Sequence, residues 1–408
     1  MVNVRQAIRE GVKLMPKILV VAYGGGHARL LVPVIHLLQD RGHEVLVLGL
    51  TLGQSVFQEA GLPAVGLSEI LQQSTRWQDI VQRGQNLVDE SDVHPQIGLE
   101  NSVAYLGSGF LDLIASHGES EAIQYYKKVG RKAFDPTITA REIIEICGCD
   151  VLVTTNSPRM ERALVRAARS LQKHSVVVVD SFASIERAWL SESSYADCVC
   201  VFHESVKEAL TSDGRPESDV IVTGNPVFDS LADVVLPERQ TDRPHVLYLS
   251  QNEARIDQDN HPIDPDALPR DVINCLLMGI QNDQLTAEVR FHPNQGDRIR
   301  QELSCLLDRS KFCSLEDTLV DADVVITASS TAGIQAQLLG LPLVKIGWSI
   351  RNGLVPFDQL GPTWEAQTSD QLLPKIQEAA RAGRFLKAST LGNATSAVVE
   401  QIERLACG

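Results

Sequence analysis

The chain reads as an α/β protein of two domains, each built on a parallel sheet, with the sheets facing one another across a cleft. Three observations predict this. Buried-strand signals alternate with helical ones along most of the length, the pattern of strands joined by crossover helices. Two distant stretches share one plan: Ile18–Leu38 (ILVVAYGGGHARLLVPVIHLL) and Ala322–Pro342 (ADVVITASSTAGIQAQLLGLP) each run from β-branched residues through tiny ones into a helix-period segment. A strand without polar alternation is covered on both faces, as in a parallel sheet. Finally, 408 residues exceed what one hydrophobic core ordinarily serves.

In the first half, HEVLVLGL (His43–Leu50) and LPAVGL (Leu62–Leu67) supply the next two strands. From about 68 to 146 no strand-like run occurs, so this stretch, which contains GSGF (Gly107–Phe110), is expected to be a helical insertion with a mobile loop. Strands return at DVLVTTNSP (Asp150–Pro158), SVVVVDSF (Ser175–Phe182), CVCVFHES (Cys198–Ser205) and DVIVTGNP (Asp219–Pro226). The polar segment LPERQTDRPH (Leu236–His245) reads as a linker. HVLYLSQNEA (His245–Ala254), EVRFHPNQG (Glu288–Gly296), ADVVITASST (Ala322–Thr331) and PLVKIGW (Pro342–Trp348) follow as strands with their loops, with KFCSLED a short segment among them. The expected domains are 1–240 and 241–388, with a terminal helix, 389–408, crossing back to the first.

A net charge of −15 and a pI near 5.1 argue against nucleic acid or an anionic membrane as the main partner, while a local basic patch for a phosphorylated ligand is compatible with both. No apolar run has the length of a membrane span, since Val176–Val179 is followed at once by Asp180. The opening MVNVRQAIREGVKLMPK lacks the apolar stretch of a secretory signal and reads as an amphipathic or disordered lead-in, so a cytoplasmic location is expected. The eight cysteines include two C-x-C pairs, Cys147/Cys149 and Cys198/Cys200. Structural zinc spacing leaves at least two residues between paired ligands, so the pairs read as small core hydrophobes and no metal is expected.

Tyr23-Gly24-Gly25-Gly26-His27 is the first candidate site. Gly25 and Gly26 let the backbone approach a ligand without Cβ clashes. A dinucleotide fingerprint would need a glycine where Arg29 stands and an acid ending the second strand, which instead ends Leu48-Gly49-Leu50-Thr51. That disfavours NAD and FAD, and no cofactor is expected. His27, at a helix start, is the candidate general base, or else merely caps the helix. Asp180 directly ends a buried apolar run, where a charge is costly unless it lies in a cleft or is paired; it is the second acid–base candidate, or else a turn residue. Asn156 and Arg159 end the neighbouring strand and are candidates for the acceptor side. Thr223-Gly224-Asn225-Pro226 reads as a turn with secondary ligand contacts. In the second half, Arg290 and His292 end one strand and Ser329-Ser330-Thr331 another, where ligands of α/β sheets gather. Gln335 lies one helical turn beyond Thr331 on the same face.

GGGHARLLVPVIHLLQDRGHEV, VTGNPVFDSL and ASSTAGIQAQLLGLPLV together resemble the GT-B superfamily of nucleotide-sugar glycosyltransferases, which includes the non-hydrolysing UDP-GlcNAc 2-epimerases. The resemblance covers most of the chain, least well in the helical insertion. It implies two Rossmann-like domains, a nucleotide-sugar held mainly by the C-terminal one, and no essential metal. Ser329, Ser330 and Thr331 would bind the diphosphate, and Gln335 stands where the family often has a ribose-binding Glu. His292-Pro293 with Ser329-Ser330 also looks like the paired motifs of bacterial sialyltransferases and CDP-glycerol transferases, so a CMP/CDP donor stands beside UDP. The epimerase-type His-Arg-Arg-Glu stretch is replaced by SQNEAR (Ser250–Arg255), which favours transfer to a glycan, lipid-linked or small-molecule hydroxyl over epimerisation. A sugar-nucleotide binding protein without catalysis is the third reading, and a second copy of the chain is left open as a partner.

Overall fold

The computed structural model describes residues 16–238, 242–254, 261–292, 295–388 and 391–407. The expected lead-in up to residue 15, Pro293, Asn294, Arg255 and the proposed helix start at Ser389 lie outside these residues. The chain divides into two compact units: one runs to Asp229 and resumes at Asn393, and the other is Ser230–Gly392.

The first unit is a seven-stranded sheet of β1 (Lys17–Tyr23), β2 (Glu44–Leu50), β3 (Ala64–Val65), β4 (Val151–Thr155), β5 (His174–Val178), β6 (Cys198–Val201) and β7 (Val220–Val222). All pairings are parallel, in the order β3-β2-β1-β4-β5-β6-β7. The runs are apolar because both faces are covered: Ile18, Val20, Val153, Val176 and Val178 are buried in one core that also takes in Cys198 and Cys200. The order reverses between β1 and β4, whose crossovers leave in opposite directions, so a crevice forms outside their carboxyl ends.

Helix α1 (Gly24–Asp40) begins on the residue after β1, so the glycines form its first turn and not a separate loop. Only Gly24 needs to be glycine for its backbone, at φ +74°. Helices also fill 67–147, with GSGF inside α2 (Leu99–His117) and not in a loop. There the missing side chain is a packing device: a Cβ on Gly107 would lie 1.9 Å from the carbonyl oxygen of Ile80. Asp112, buried on α2, pairs with Arg76 at 2.6 Å and accepts from the Thr139 N–H at 2.8 Å, which ties α2 to the helix starting at Thr137. The C-terminal helix Ala394–Cys407 belongs to this unit. Its first N–H groups donate to the Asp229 carboxylate, and Val398, Val399 and Ile402 enter the core.

The second unit is a five-stranded parallel sheet of β8 (His245–Ser250), β9 (Thr286–Phe291), β10 (Val324–Thr327), β11 (Leu343–Ile346) and β12 (Thr363–Ala366). Its order, β12-β11-β10-β8-β9, reverses between β8 and β10. KFCSLED makes a turn and the start of a short helix, Leu315–Asp321. No helix is long and apolar enough to cross a membrane among the described residues.

Candidate active site

The reversal point of the first sheet carries a cluster of ionisable groups. His27 sits in the first turn of α1, which has no side-chain cap and no acidic residue. Its Nδ1 meets the Oγ1 of Thr155, the last residue of β4. Its Nε2 lies 3.6 Å from Asp180 Oδ2, an ion pair when the imidazole is protonated. Asp180 follows β5 and is held from several sides. The Asn156 amide donates to its Oδ1 (3.1 Å) while its own N–H donates back to Asn156 Oδ1 (3.2 Å). Ser181 adds a hydroxyl at 3.0 Å, and Asn225, from the Thr-Gly-Asn-Pro turn, donates to the Asp180 carbonyl at 2.8 Å. The Glu186 carboxyl lies within electrostatic reach of this cluster: burial pushes it up, with the Asp180 charge adding to the shift and His27 opposing it.

The second residue of α3 (Met160–Ser170), Glu161, is fully buried. Its Oε1 accepts from the Tyr23 N–H at 2.6 Å, and its Oε2 from the Thr155 N–H at 2.8 Å and hydroxyl at 2.6 Å. It therefore staples the ends of β1 and β4 at the reversal point. Burial raises its carboxyl to about 7; His27 and the hydrogen bonds oppose the shift without cancelling it.

Asn156, expected on the acceptor side, is 1% exposed and spends its amide on Asp180, so it orients that carboxylate and does not reach out to a ligand. Arg159 precedes α3 at a positive φ of +67°, a strained setting for a residue with a Cβ. Thr51 and Ala183 share this strain after β2 and β5, so it concentrates at the carboxyl edge of the sheet. Gly25 and Gly26 leave the first turn of α1 unobstructed: a Cβ would meet nothing closer than 3.7 Å at Gly25 and nothing within 4 Å at Gly26. A small cavity of about 80 Å³ opens at the same edge, lined by Tyr23, Leu50, Tyr105, Arg131 and Met160 among others.

In the second unit the reversal point joins Ser329 to Gln251, whose side-chain oxygen accepts from the Ser329 N–H (3.3 Å) and hydroxyl (3.2 Å). Ser330 is the N-cap of α4 (Thr331–Leu338), its hydroxyl accepting from the Ala332 N–H at 3.3 Å. Thr331 is exposed on the first turn, and Gln335 is half-buried on the next. Beside this loop lies a cavity of about 570 Å³, lined by Gln251, Asn252, Glu253, His292, Arg298 and Arg351 with four others. Burial, with help from Arg351 and Arg300, holds His292 below the usual imidazole range, so the ring is neutral at neutral pH. Arg351 is anchored through Nε on the Asn252 carbonyl at 3.1 Å. Glu253 is buried, accepts from the Ser349 hydroxyl at 2.5 Å, and has a second oxygen with no partner among the described residues.

Arg290 does not join this cavity. Its guanidinium donates to the carbonyls of Cys313 (3.0 Å) and Ser314 (3.2 Å) and to Thr318 Oγ1 (3.2 Å), on the other side of β9 from the buried Phe291. Strand alternation separates it from its neighbour. Sequence reasoning missed Thr155, Glu161, Glu186, Gln251 and Arg351. One signal was available for Glu161: it stands on the apolar stripe of α3, with Leu164, Val165 and Ala168 three, four and seven residues on.

Two α/β units with these strand orders define the fold class of the GT-B enzymes, and the solved structures that share the fold agree. No family model matches the chain, and no curated protein sequence does. The chain is similar to the UDP-GlcNAc 2-epimerase of Methanocaldococcus jannaschii, at TM-score 0.57 and 14% identity over 96% of this chain and 100% of that one. It is similar to the UDP-GlcNAc 2-epimerase of Neisseria meningitidis, solved bound to UDP-GlcNAc, at TM-score 0.57 and 15% identity over 95% and 100%. MurG of Acinetobacter baumannii follows at TM-score 0.53 and 14% identity over 95% and 99%. At such identities the likeness is one of fold.

Proposed function

We propose that the chain is a nucleotide-sugar enzyme that transfers a glycosyl group from a UDP- or CMP/CDP-type donor to a hydroxyl acceptor. The observation that carries this is the pairing of His27 Nε2 with Asp180 at the reversal point of the first sheet. A carboxylate beside the basic nitrogen of a histidine stabilises the imidazolium that forms when that nitrogen takes a proton, which suits a general base. In the step, Nε2 takes the acceptor's hydroxyl proton, the oxygen forms its bond to the anomeric carbon, and the bond from that carbon to the donor phosphate breaks. The nucleotide leaves with the electron pair. In the second unit, Thr331, exposed on the first turn of α4, and Arg298 and Arg351, which line the cavity, are donors suited to the phosphates of a nucleotide. Structures of this fold solved with UDP-GlcNAc or UDP support a uridine nucleotide.

A second reading, a 2-epimerase, is favoured by Asp180 lying 3.6 Å from His27 with the Glu186 carboxyl near enough to feel both charges, because that chemistry calls for carboxylates and a histidine around the sugar. The readings separate on UDP-GlcNAc supplied alone and followed by proton NMR. A transferase leaves the sugar unchanged until an acceptor is added, whereas an epimerase interconverts it without one. Either way, His27→Ala is expected to lower turnover by about 10²–10⁴ with nucleotide affinity retained. Undiminished turnover in that variant removes His27 from the chemistry.

A further inference from the structure

We propose that Glu161 is a positioning residue which, acting through the Thr155 hydroxyl, holds the His27 proton on Nδ1 and leaves Nε2 as the basic nitrogen. The proposal rests on the reading of His27 as the base. A buried carboxylate is costly unless it is compensated, and no cation pairs with Glu161 among the described residues. Its compensation is three donors, the Tyr23 N–H and the N–H and O–H of Thr155. An ionised carboxylate only accepts, so Thr155 spends its single hydroxyl proton on Glu161. The Thr155 oxygen then has only lone pairs to offer His27, and the nitrogen against it, Nδ1, has to carry a hydrogen. Nε2 is left with its lone pair towards Asp180, 3.6 Å away, where gaining a proton turns repulsion into attraction. A purely structural staple between β1 and β4 needs the two backbone contacts of Glu161 but not the hydroxyl–imidazole link.

The groups that bear on this relay are few. Glu161 meets Tyr23 from β1, His27 from α1, Thr155 from β4, and the Tyr195 phenol, which its charge helps push up. Arg162, the next residue on α3, lies over the Trp189 ring. His27 in turn faces Asp180, and the Glu186 carboxyl feels the charge of both. With the Glu161 carboxyl near 7, the relay stands in its ionised form only on the alkaline side of neutrality. Once protonated, Glu161 can donate to Thr155 and release the hydroxyl proton towards Nδ1, which reverses the arrangement.

The test is a long-range proton–nitrogen correlation spectrum of the full chain labelled with ¹⁵N-histidine at pH 8, with His27 assigned by its loss in His27→Gln. The neutral Nδ1–H tautomer is expected in the wild type and in Thr155→Ser, which keeps the hydroxyl. In Thr155→Val and Glu161→Gln the Nδ1 signal should move from the pyrrole-type to the pyridine-type range, as the proton passes to Nε2 beside Asp180. An Nε2–H tautomer in the wild type overturns the proposal, and so does an unchanged tautomer in Thr155→Val with a native circular dichroism spectrum. If Glu161→Gln does not fold, Thr155→Val decides, since it retains the carboxylate. Turnover plays no part in this readout. The predicted tautomers together with full activity in His27→Gln would refute the base assignment and leave the relay standing.

Discussion

Glu161 couples the stability of the first unit to pH. Its carboxyl rises from 4.5 to about 7 on folding because burial disfavours the charge more than its hydrogen bonds favour it. Between those values the folded chain holds a proton that the unfolded chain has lost. Stability from this group is therefore complete below pH 4.5 and falls as pH rises through 7, by about 3 kcal/mol in total. Urea denaturation at pH 5 and pH 8 should show that loss in the wild type and not in Glu161→Gln; equal slopes in the two proteins would mean that Glu161 is charged throughout. At this scale the sequence singles out Asp180 because it directly follows an apolar run, where a polar residue is conspicuous, and His27 because it follows three glycines at a helix start. Glu161 was not, since its partners lie on strands distant in the chain, and only its place on an apolar helical stripe marked it. Arg290 misled for a different reason: two residues apart would share one face of a strand, but β9 ends at Phe291, so His292 already belongs to the loop while Arg290 is spent on Cys313, Ser314 and Thr318.

Among the elements, eleven of the twelve strands of the described residues overlap runs visible in the sequence, most of them because parallel strands covered on both faces are continuously apolar. The exception, β12, is an edge strand of half-buried residues (Thr363, Trp364 and Glu365 before the buried Ala366), whose Glu365 pairs with Lys345 at 2.9 Å. Its single flank gives it no such run. The glycines of GSGF, in the stretch expected to be a helical insertion with a mobile loop, serve a close helix contact. Gly107→Ala should force α2 away from the helix Trp77–Gln85 and cost about 1–3 kcal/mol, read as a lower urea midpoint at unchanged slope. A midpoint equal to that of the wild type would show that the contact has slack.

For the molecule as a whole, the terminal helix Ala394–Cys407 is part of the first unit's core and not an appendage. Val398, Val399 and Ile402 are fully buried, and Glu403 pairs with Arg41 at 2.7 Å and His43 at 2.9 Å. Removing residues 393–408 exposes apolar contacts worth about 5–9 kcal/mol in sum, as much as an ordinary domain's stability. Calorimetry of the shortened chain should show the transition of Ser230–Gly392 retained and that of the first unit lost. A single transition shifted by only a few degrees would contradict this. The proposed function gives the two reversal points different work, with the His27–Asp180 pair on one sheet and, on the other, the Ser329–Thr331 loop beside the cavity that Arg298 and Arg351 help to line.

That division is tested most directly by thermal shift of the wild-type chain and of Arg351→Ala with UDP, CMP, CDP, GDP and TDP. A nucleotide bound only by the folded protein adds about 2.7 kcal/mol at a hundred times its dissociation constant. A clear rise is expected with a uridine or cytidine nucleotide, lost in Arg351→Ala and kept in His27→Ala. No rise with any of the five nucleotides, or a rise that Arg351→Ala leaves intact and His27→Ala abolishes, would contradict the assignment of the nucleotide to the second unit.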